Sequence, residues 1–409
     1  MLAALQTGVK GGKWHSLIDK VHRLETLELG WAQVEKNAGA AGVDRMSVKR
    51  FSQRREYYLA ELAHALRDGS YRPLPVRRVY IPKGKKQRPL GIPAVKDRVV
   101  QAALKLVIEP IFEHEFEPRS YGFRQGLGCK DALREVDRHL KAGHFWVVDA
   151  DLQSYFDTIP HDPLLAKVGR RIGDGRVMAL IQGFLKQDIM EDMTRWTPIS
   201  GSPQGAVISP LLANAYLHEL DVEMREAGLV MVRYADDAVV LCRSEEEALG
   251  ALTRMRAWVS ANGLKLHPDK THVGDCRVDS QGFEFLGYRF EAGRRWVRKK
   301  SLMALRDKVR AKTHRDRGDS IETVIASLNP TLKGWYAYFK QAHRFTFSSI
   351  DGFIRRRLRA MLRKQKHRPG QGRCLQDHKQ WPNAFFADLG LFTMSAAHQL
   401  ARQSRCGNN

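Results

Sequence analysis

Apolar positions recur at three- and four-residue spacing between residues 14 and 70, in Leu17, Val21, Leu24 and Leu27 and again in Leu59, Leu62 and Leu66. That period predicts helices, with the small-residue stretch Gly39 to Asp44 as a loop between them. Val76 to Pro82 alternates instead, Lys83 to Gln87 reads as a turn, and Arg88 to Pro93 continues extended, which predicts a basic β-hairpin. Helical spacing returns over 95–140, interrupted from Pro118 to Gly128. Phe145 to Asp151 is an apolar strand ending in acids, and 161–190 is again helical. Gly201-Ser-Pro-Gln-Gly205 opens a helix to about residue 222, and Met231 to Leu241 reads as strand, turn and strand with two acids at the tip. A helix over 245–261, a segment from Leu264 to His272 and a short hairpin from Phe283 to Val297 follow. Helices are expected beyond residue 300 to about 366, then a break at Pro369 to Gly372 and a short C-terminal unit. The implied segments are 1–75, 76–298, 299–368 and 369–409, in an α+β chain.

The length, 409 residues, exceeds one ordinary core and implies two or three domains. Lys and Arg number 68 against 45 Asp and Glu, a net charge of +23. A surplus of that size favours a polyanionic partner, because each phosphate contact releases condensed counterions; a ribosome-associated or merely soluble basic protein is the other reading. The charge is concentrated late: residues 294–315 carry ten Lys/Arg against Asp307 alone, and residues 353–368 carry eight and no acid. The five cysteines are scattered without a Cys-x-x-Cys pair, so neither a disulfide framework nor a zinc knuckle is expected, and a reducing, cytoplasmic setting is. The start lacks the apolar core of a signal peptide, and no apolar run approaches the roughly 20 residues of a membrane span, so a membrane role is not expected.

The acids at strand ends carry the candidate chemistry. Phosphoryl transfer to a nucleotide uses two divalent ions about 4 Å apart, and hard ions such as Mg²⁺ take carboxylate oxygens. Asp149 and Asp151 end one strand, and Asp236 and Asp237 sit between two others. Neighbouring residues of a regular strand point to opposite faces, so two adjacent acids converge only at a turn. A solvated Asp-Asp turn is the ordinary alternative, against which stands the apolar frame of Met231-Val-Arg-Tyr and Ala-Val-Val-Leu241. Arg77, Lys83 and Arg88 of the basic hairpin suit a triphosphate clamp or a general nucleic-acid loop. Phe156, five residues past Asp151, is placed to press on a sugar or to pack in the core.

In order and spacing these motifs resemble those of bacterial group II intron-encoded reverse transcriptases, or maturases. Asn37 to Asp44 is similar to that family's N-terminal extension motif, and Arg72 to Lys83 with Arg88 to Pro93 to its fingers hairpin. Ser120-Tyr-Gly-Phe-Arg124, Val148 to Asp157, Ser202 to Asn214, Arg233-Tyr-Ala-Asp-Asp237, Gly263 to Thr271 and Phe285-Leu-Gly-Tyr288 resemble its successive blocks. The resemblance implies a right-hand polymerase: fingers and palm over 76–298 after an N-terminal extension, a helical thumb or maturase domain over 299–368, and a basic C-terminal unit. It implies RNA-directed DNA polymerase activity, with Asp151, Asp236, Asp237 and the Leu152 carbonyl holding two Mg²⁺ (Mn²⁺ as a substitute). Phe156 becomes the sugar gate, Gln204 a nucleotide contact and Lys270 the acid that protonates pyrophosphate, with Asp149 in support. Ala206 stands where the family more commonly has glycine, and the loop 83–88 is one residue short of many relatives. No Cys/His endonuclease module is seen after the thumb, and the tail resembles endonuclease-less, class C-like members.

Partners implied are a group II intron RNA, an RNA template with a DNA primer, deoxynucleoside triphosphates and target DNA, for a monomer or homodimer. A domesticated enzyme of host defence or repair, or a splicing cofactor with a vestigial polymerase, stays open. Arg355, Arg356, Arg357, Arg359 and Arg363 cannot share one helix face and are expected to bind RNA phosphates as a group. Trp335, Tyr336, Tyr338 and Phe339 either stack on bases or fill the core of a small helical domain.

Overall fold

Helices at the N-terminus wrap a long apolar one. The structure, a computed structural model, describes residues 12–83, 86–316 and 318–406. The chain divides into two compact units, one ending at Val273 and one beginning at Gly274. In the first, α1 (Ile18–Val21), α2 (Leu24–Asn37), α3 (Val48–Ser52) and α4 (Arg55–Asp68) precede the hairpin, and α5 (Val95–Glu113) follows it. Leu27, Trp31 and Val34 of α2 share one core with Val99, Ala103 and Val107 of α5. Gly30 allows this close crossing, since a Cβ there would lie 2.9 Å from the Val99 carbonyl oxygen. The loop from residue 38 to 46 separates α2 from α3, where the small-residue break predicted it.

The predicted hairpin is β1 (Val76–Lys83) with β2 (Lys86–Ile92), antiparallel from Arg77 opposite Ile92 to Lys83 opposite Lys86. It belongs to a four-stranded sheet ordered β2-β1-β4-β5, in which β1 runs parallel to β4 (Ile189–Glu191) and β4 antiparallel to β5 (Thr194–Trp196). The β4–β5 hairpin was not expected, because 161–190 read as helix throughout. Helices α8 (His161–Gly169) and α9 (Gly175–Leu185) end before it. β4 pairs with β5 beside it and with Val76 and Arg77, more than a hundred residues away, and three-residue strands leave almost no period of their own.

The second sheet of this unit is ordered β6-β7-β3-β8, from β3 (Trp146–Asp151), β6 (Val230–Tyr234), β7 (Asp237–Cys242) and β8 (His272–Asp275). Val147, Val148, Val239, Val240 and Leu241 are all buried. Helices α6 (Cys129–Lys141), α10 (Ser209–Glu226) and α11 (Glu245–Ala261) cover this sheet, which is why its central strands read as continuous apolar runs. A single-turn helix, α7 (Tyr155–Thr158), follows β3.

The second unit starts 25 residues before the expected boundary at 298/299. Strands β9 (Phe283–Phe285), β10 (Tyr288–Glu291) and β11 (Arg294–Val297) form an antiparallel sheet ordered β11-β10-β9. The sheet belongs with the helices because Tyr288, fully buried, packs on Tyr338 and Phe339 of α13 (Ile321–Phe339). Tyr338 Oη also donates to the Leu286 carbonyl at 2.8 Å. Tyr336 packs on Phe347 and Phe392, so the aromatics of α13 serve the core of this unit. Helices α12 (Lys299–Lys312) and α14 (Phe345–Gln365) complete the bundle, and α15 (Leu375–Gln380), α16 (Asn383–Asp388) and α17 (Met394–Cys406) follow the predicted break. Asp351 of α14 accepts from the Met394 and Ser395 amides and so caps α17.

Candidate active site

Asp151 ends β3 and Asp237 begins β7, and the antiparallel register sets these two residues directly opposite one another. Such pairs place their Cβ atoms about 5 Å apart, so two carboxylates face one point at the end of the buried sheet. Between β6 and β7 a two-residue turn, Ala235-Asp236, joins Tyr234 to Asp237. Ala235 has φ +60°, a left-handed conformation that costs a non-glycine residue free energy and is held only by its surroundings. Asp236 is the second residue of that turn, off the strand, and its charge acts on Arg233.

What holds the turn lies beneath it. Arg233, 1% exposed, donates from Nε to Asp221 Oδ1 at 2.7 Å and from Nη2 to Asp221 Oδ2. Its Nη1 donates to the Ala235 carbonyl at 2.9 Å and to Asn214 Oδ1 at 3.1 Å. Burial alone would lower the Arg233 pKa, but the Asp221 carboxylate more than offsets that and Asp236 adds to it, so the group stays charged. Asn214 in turn donates to the Gly122 carbonyl at 2.7 Å. Gly122 lies flush on the turn: a Cβ there would be 2.2 Å from the Ala235 nitrogen. Arg233, Asn214 and Gly122 lie in the motif blocks quoted above but were given no role there, and Asp221 lies outside those blocks. An arginine inside an apolar strand, with an acid twelve residues before it on a helix, was the available signal.

Lys270 comes to the carboxylates from a third segment, its Nζ donating to Asp151 Oδ2. The segment is pinned along the end of β3 by His267 N donating to the Asp151 carbonyl at 2.7 Å and Gln153 N to the Lys265 carbonyl at 2.8 Å. Leu152 sits between those two bonds, opposite Leu266. Asp151 and Asp237 offer the hard oxygen donors that magnesium or manganese takes, and Asp151 already holds a cationic partner in Lys270. Among the described residues no three His, Cys, Asp or Glu side chains are gathered as a ligand set.

A cavity of about 450 Å³ is lined by Arg78, Gly91, Phe156, Asp157, Trp196 and Gln204, among others; Asp151, Asp236 and Asp237 do not line it. Phe156 packs edge-on against Phe123 and Tyr155. Arg88 Nε donates to Gln204 Oε1 at 2.6 Å. Arg78, which the sequence reading passed over for Arg77, lines the cavity and covers the Trp196 ring at 5.0 Å. Arg77 faces the opposite side of β1 by strand alternation, where its Nε is buried without a hydrogen-bond acceptor among the described residues. The side chain of Lys83 lies outside the described residues.

The expected RNA-facing arginines separate on α14. Arg359, 2% exposed, donates to the Trp381 carbonyl and Asn383 Oδ1, both at 2.9 Å, so its assignment to RNA is corrected. Arg363 bonds Asp377 at 2.6 Å and the Pro369 carbonyl at 2.8 Å, and Arg357 bonds the Thr313 carbonyl at 2.6 Å. These three close the second unit, because arginines all round one helix must include some on its docked faces. Arg355 and Arg356 stay half-exposed. Arg356 joins Arg306 and Arg310 of α12 over the Phe353 ring, at 5.4, 5.7 and 5.6 Å. Burial, then repulsion from Arg373, Arg306 and Arg310, lowers the Arg356 pKa.

Comparison with known proteins covers most of the chain. Residues 81–290 match the family model described as reverse transcriptase (RNA-dependent DNA polymerase), and residues 302–381 match the group II intron, maturase-specific domain. The chain is 36% identical to protein YkfC of Escherichia coli over 297 residues, 62% of this chain and 76% of that protein. It is 40% identical over 188 residues to the group II intron-encoded protein LtrA of Lactococcus lactis, 46% of this chain and 31% of that protein. A 91 kDa protein in the cob intron of Schizosaccharomyces pombe is 38% identical over 279 residues, 54% of this chain and 34% of that one.

Proposed function

The chain belongs to the reverse transcriptase family and carries a group II intron maturase domain, and we propose that it copies RNA into DNA from a DNA primer at Asp151, Asp236 and Asp237. The observation that carries this is the register of Asp151 against Asp237, with Asp236 on the turn beside them. These carboxylates and the Leu152 carbonyl would hold two Mg²⁺, with Mn²⁺ as a substitute, which when bound supply the Lewis acidity of phosphoryl transfer. Lys270, paired with Asp151, gives a proton to the departing pyrophosphate. Phe156, propped by Phe123 and Tyr155, presses on the sugar and rejects a 2′-hydroxyl. Gln204, Arg88 and Lys83 receive the incoming deoxynucleoside triphosphate, with Arg78 on the cavity face of β1 in the place first given to Arg77.

The second unit supplies the maturase role, binding intron RNA for splicing and for mobility into target DNA. Arg306, Arg310, Arg355 and Arg356 fit that task; three of them crowd one phenylalanine, and among the described residues Asp307 is the acid bonded there, to Arg310. Phosphate oxygens would relieve that repulsion. Purified protein with Mg²⁺ should extend a DNA primer on an RNA template, and Asp236→Ala should abolish extension. Failure of the unaltered protein across several primers and Mg²⁺ concentrations would overturn the reading.

A further inference from the structure

Gln204 is held from two sides by groups that leave its amide one orientation. A guanidinium only donates and a carboxylate only accepts. Arg88 Nε donates to Gln204 Oε1 at 2.6 Å, while Gln204 Nε2 donates to Asp157 Oδ2 and Oδ1 at 3.1 and 3.2 Å. Turning the amide over would set donor against donor at Arg88 and acceptor against acceptor at Asp157. The backbone repeats this span. Gly91 N of β2 donates to the Gln204 carbonyl at 2.7 Å, and Ser202 N donates to the Phe156 carbonyl at 2.7 Å. Gly205, at φ +114°, has no room for a side chain, since a Cβ would lie 2.4 Å from the Gly91 carbonyl oxygen. Residues 201–205 therefore tie the basic hairpin to the turn that carries Phe156 and Asp157.

We propose that Asp157 is a positioning residue for the incoming nucleotide, acting through Gln204 to hold Arg88 of the hairpin over the triphosphate site before a nucleotide arrives. This rests on the polymerase reading above. Asp157 needs no contact with the substrate for this. Its two oxygens fix Nε2, which turns Oε1 toward Arg88 and keeps an exposed, flexible arginine in one place. Preorganisation of that kind strengthens binding by removing the ordering cost from the moment of binding.

The test is a double-variant cycle of Asp157→Ala and Gln204→Ala in primer extension on an RNA template, reading kcat and the KM for deoxynucleotide. Asp157→Ala should raise KM about tenfold and leave kcat within about threefold, the size of one charge-assisted hydrogen bond. In the Gln204→Ala background the same change should raise KM less than twofold. Asp157→Asn keeps one acceptor for Nε2 and the side-chain shape, so it should recover most of the loss. Three results would each overturn the proposal: equal KM effects in both backgrounds, a loss confined to kcat, or an Asp157→Asn enzyme no better than Asp157→Ala. Inactivity of the unaltered protein would instead remove the polymerase reading itself.

Discussion

Asp221→Ala removes the counter-charge of a guanidinium that water cannot reach. Arg233 is 1% exposed and Asp221 6%, and two of the four Arg233 side-chain hydrogen bonds go to Asp221. The Asn214 and Ala235 oxygens that remain are neutral and cannot balance a buried cation. Breaking a buried pair by removing one partner costs about 3–5 kcal/mol, a fall in melting temperature on the order of 10 °C for a unit of this size. Removing both charges with similar volume is near neutral, so Asp221→Leu with Arg233→Met should regain most of the lost stability. It should not regain activity, because the Ala235 carbonyl then has no Nη1 donor to hold the turn at φ +60°. The assay is thermal melting of all three proteins, paired with primer extension about 20 °C below the lowest midpoint. The double variant should melt near the unaltered protein yet extend at least tenfold more slowly. A double variant that melts as low as Asp221→Ala, or that extends at the full rate, would refute the reasoning.

Burial raises the Asp97 carboxyl to about 6, against hydrogen bonds from Tyr71, Leu74 and Gln187 that favour its charge. Between its unfolded value of 3.8 and 6 the folded chain holds the extra proton, so this contribution is full below pH 3.8 and lost as pH rises through 6. The difference in stability between the unaltered protein and Asp97→Asn should therefore change by about 3 kcal/mol across that window; a flat difference in melts run at each pH would contradict it. Phe156→Ala should raise ribonucleotide incorporation at least tenfold, read from the ratio of products with each triphosphate, and an unchanged ratio would remove its gate role. Arg306→Ala with Arg356→Ala should shrink the salt slope of RNA binding by about 1.5, at roughly 0.7–0.9 per phosphate contact. Arg359→Ala should lower the melting point and leave that slope alone, and the reverse pattern would return Arg359 to the RNA.

The two acidic strand ends and the basic hairpin were legible in the sequence because each is local: an apolar run, its period and its terminal acids lie within a dozen residues. What was not legible depends on distant partners. β4 joins the sheet of the basic hairpin through Val76 and Arg77, and β9–β11 group with the helices through contacts such as Tyr288 against α13 and Tyr338 on the Leu286 carbonyl. Charge counts cannot tell an arginine that meets a phosphate from one that meets a backbone carbonyl or an acid of its own fold, which is why Arg357, Arg359 and Arg363 read as RNA-facing. The same limit hid Arg233, whose partners Asp221 and Asn214 lie on α10, and it hid Arg78, which one step along β1 places on the cavity face instead of Arg77. Substituting the acids one at a time bears most directly on whether Asp151 and Asp237 form a polymerase site. Asp151→Asn and Asp237→Asn should each slow single-turnover extension of a DNA primer on RNA at least a thousandfold, while binding the primer–template as tightly as the unaltered protein. Either variant extending within tenfold of the unaltered rate would contradict the assignment.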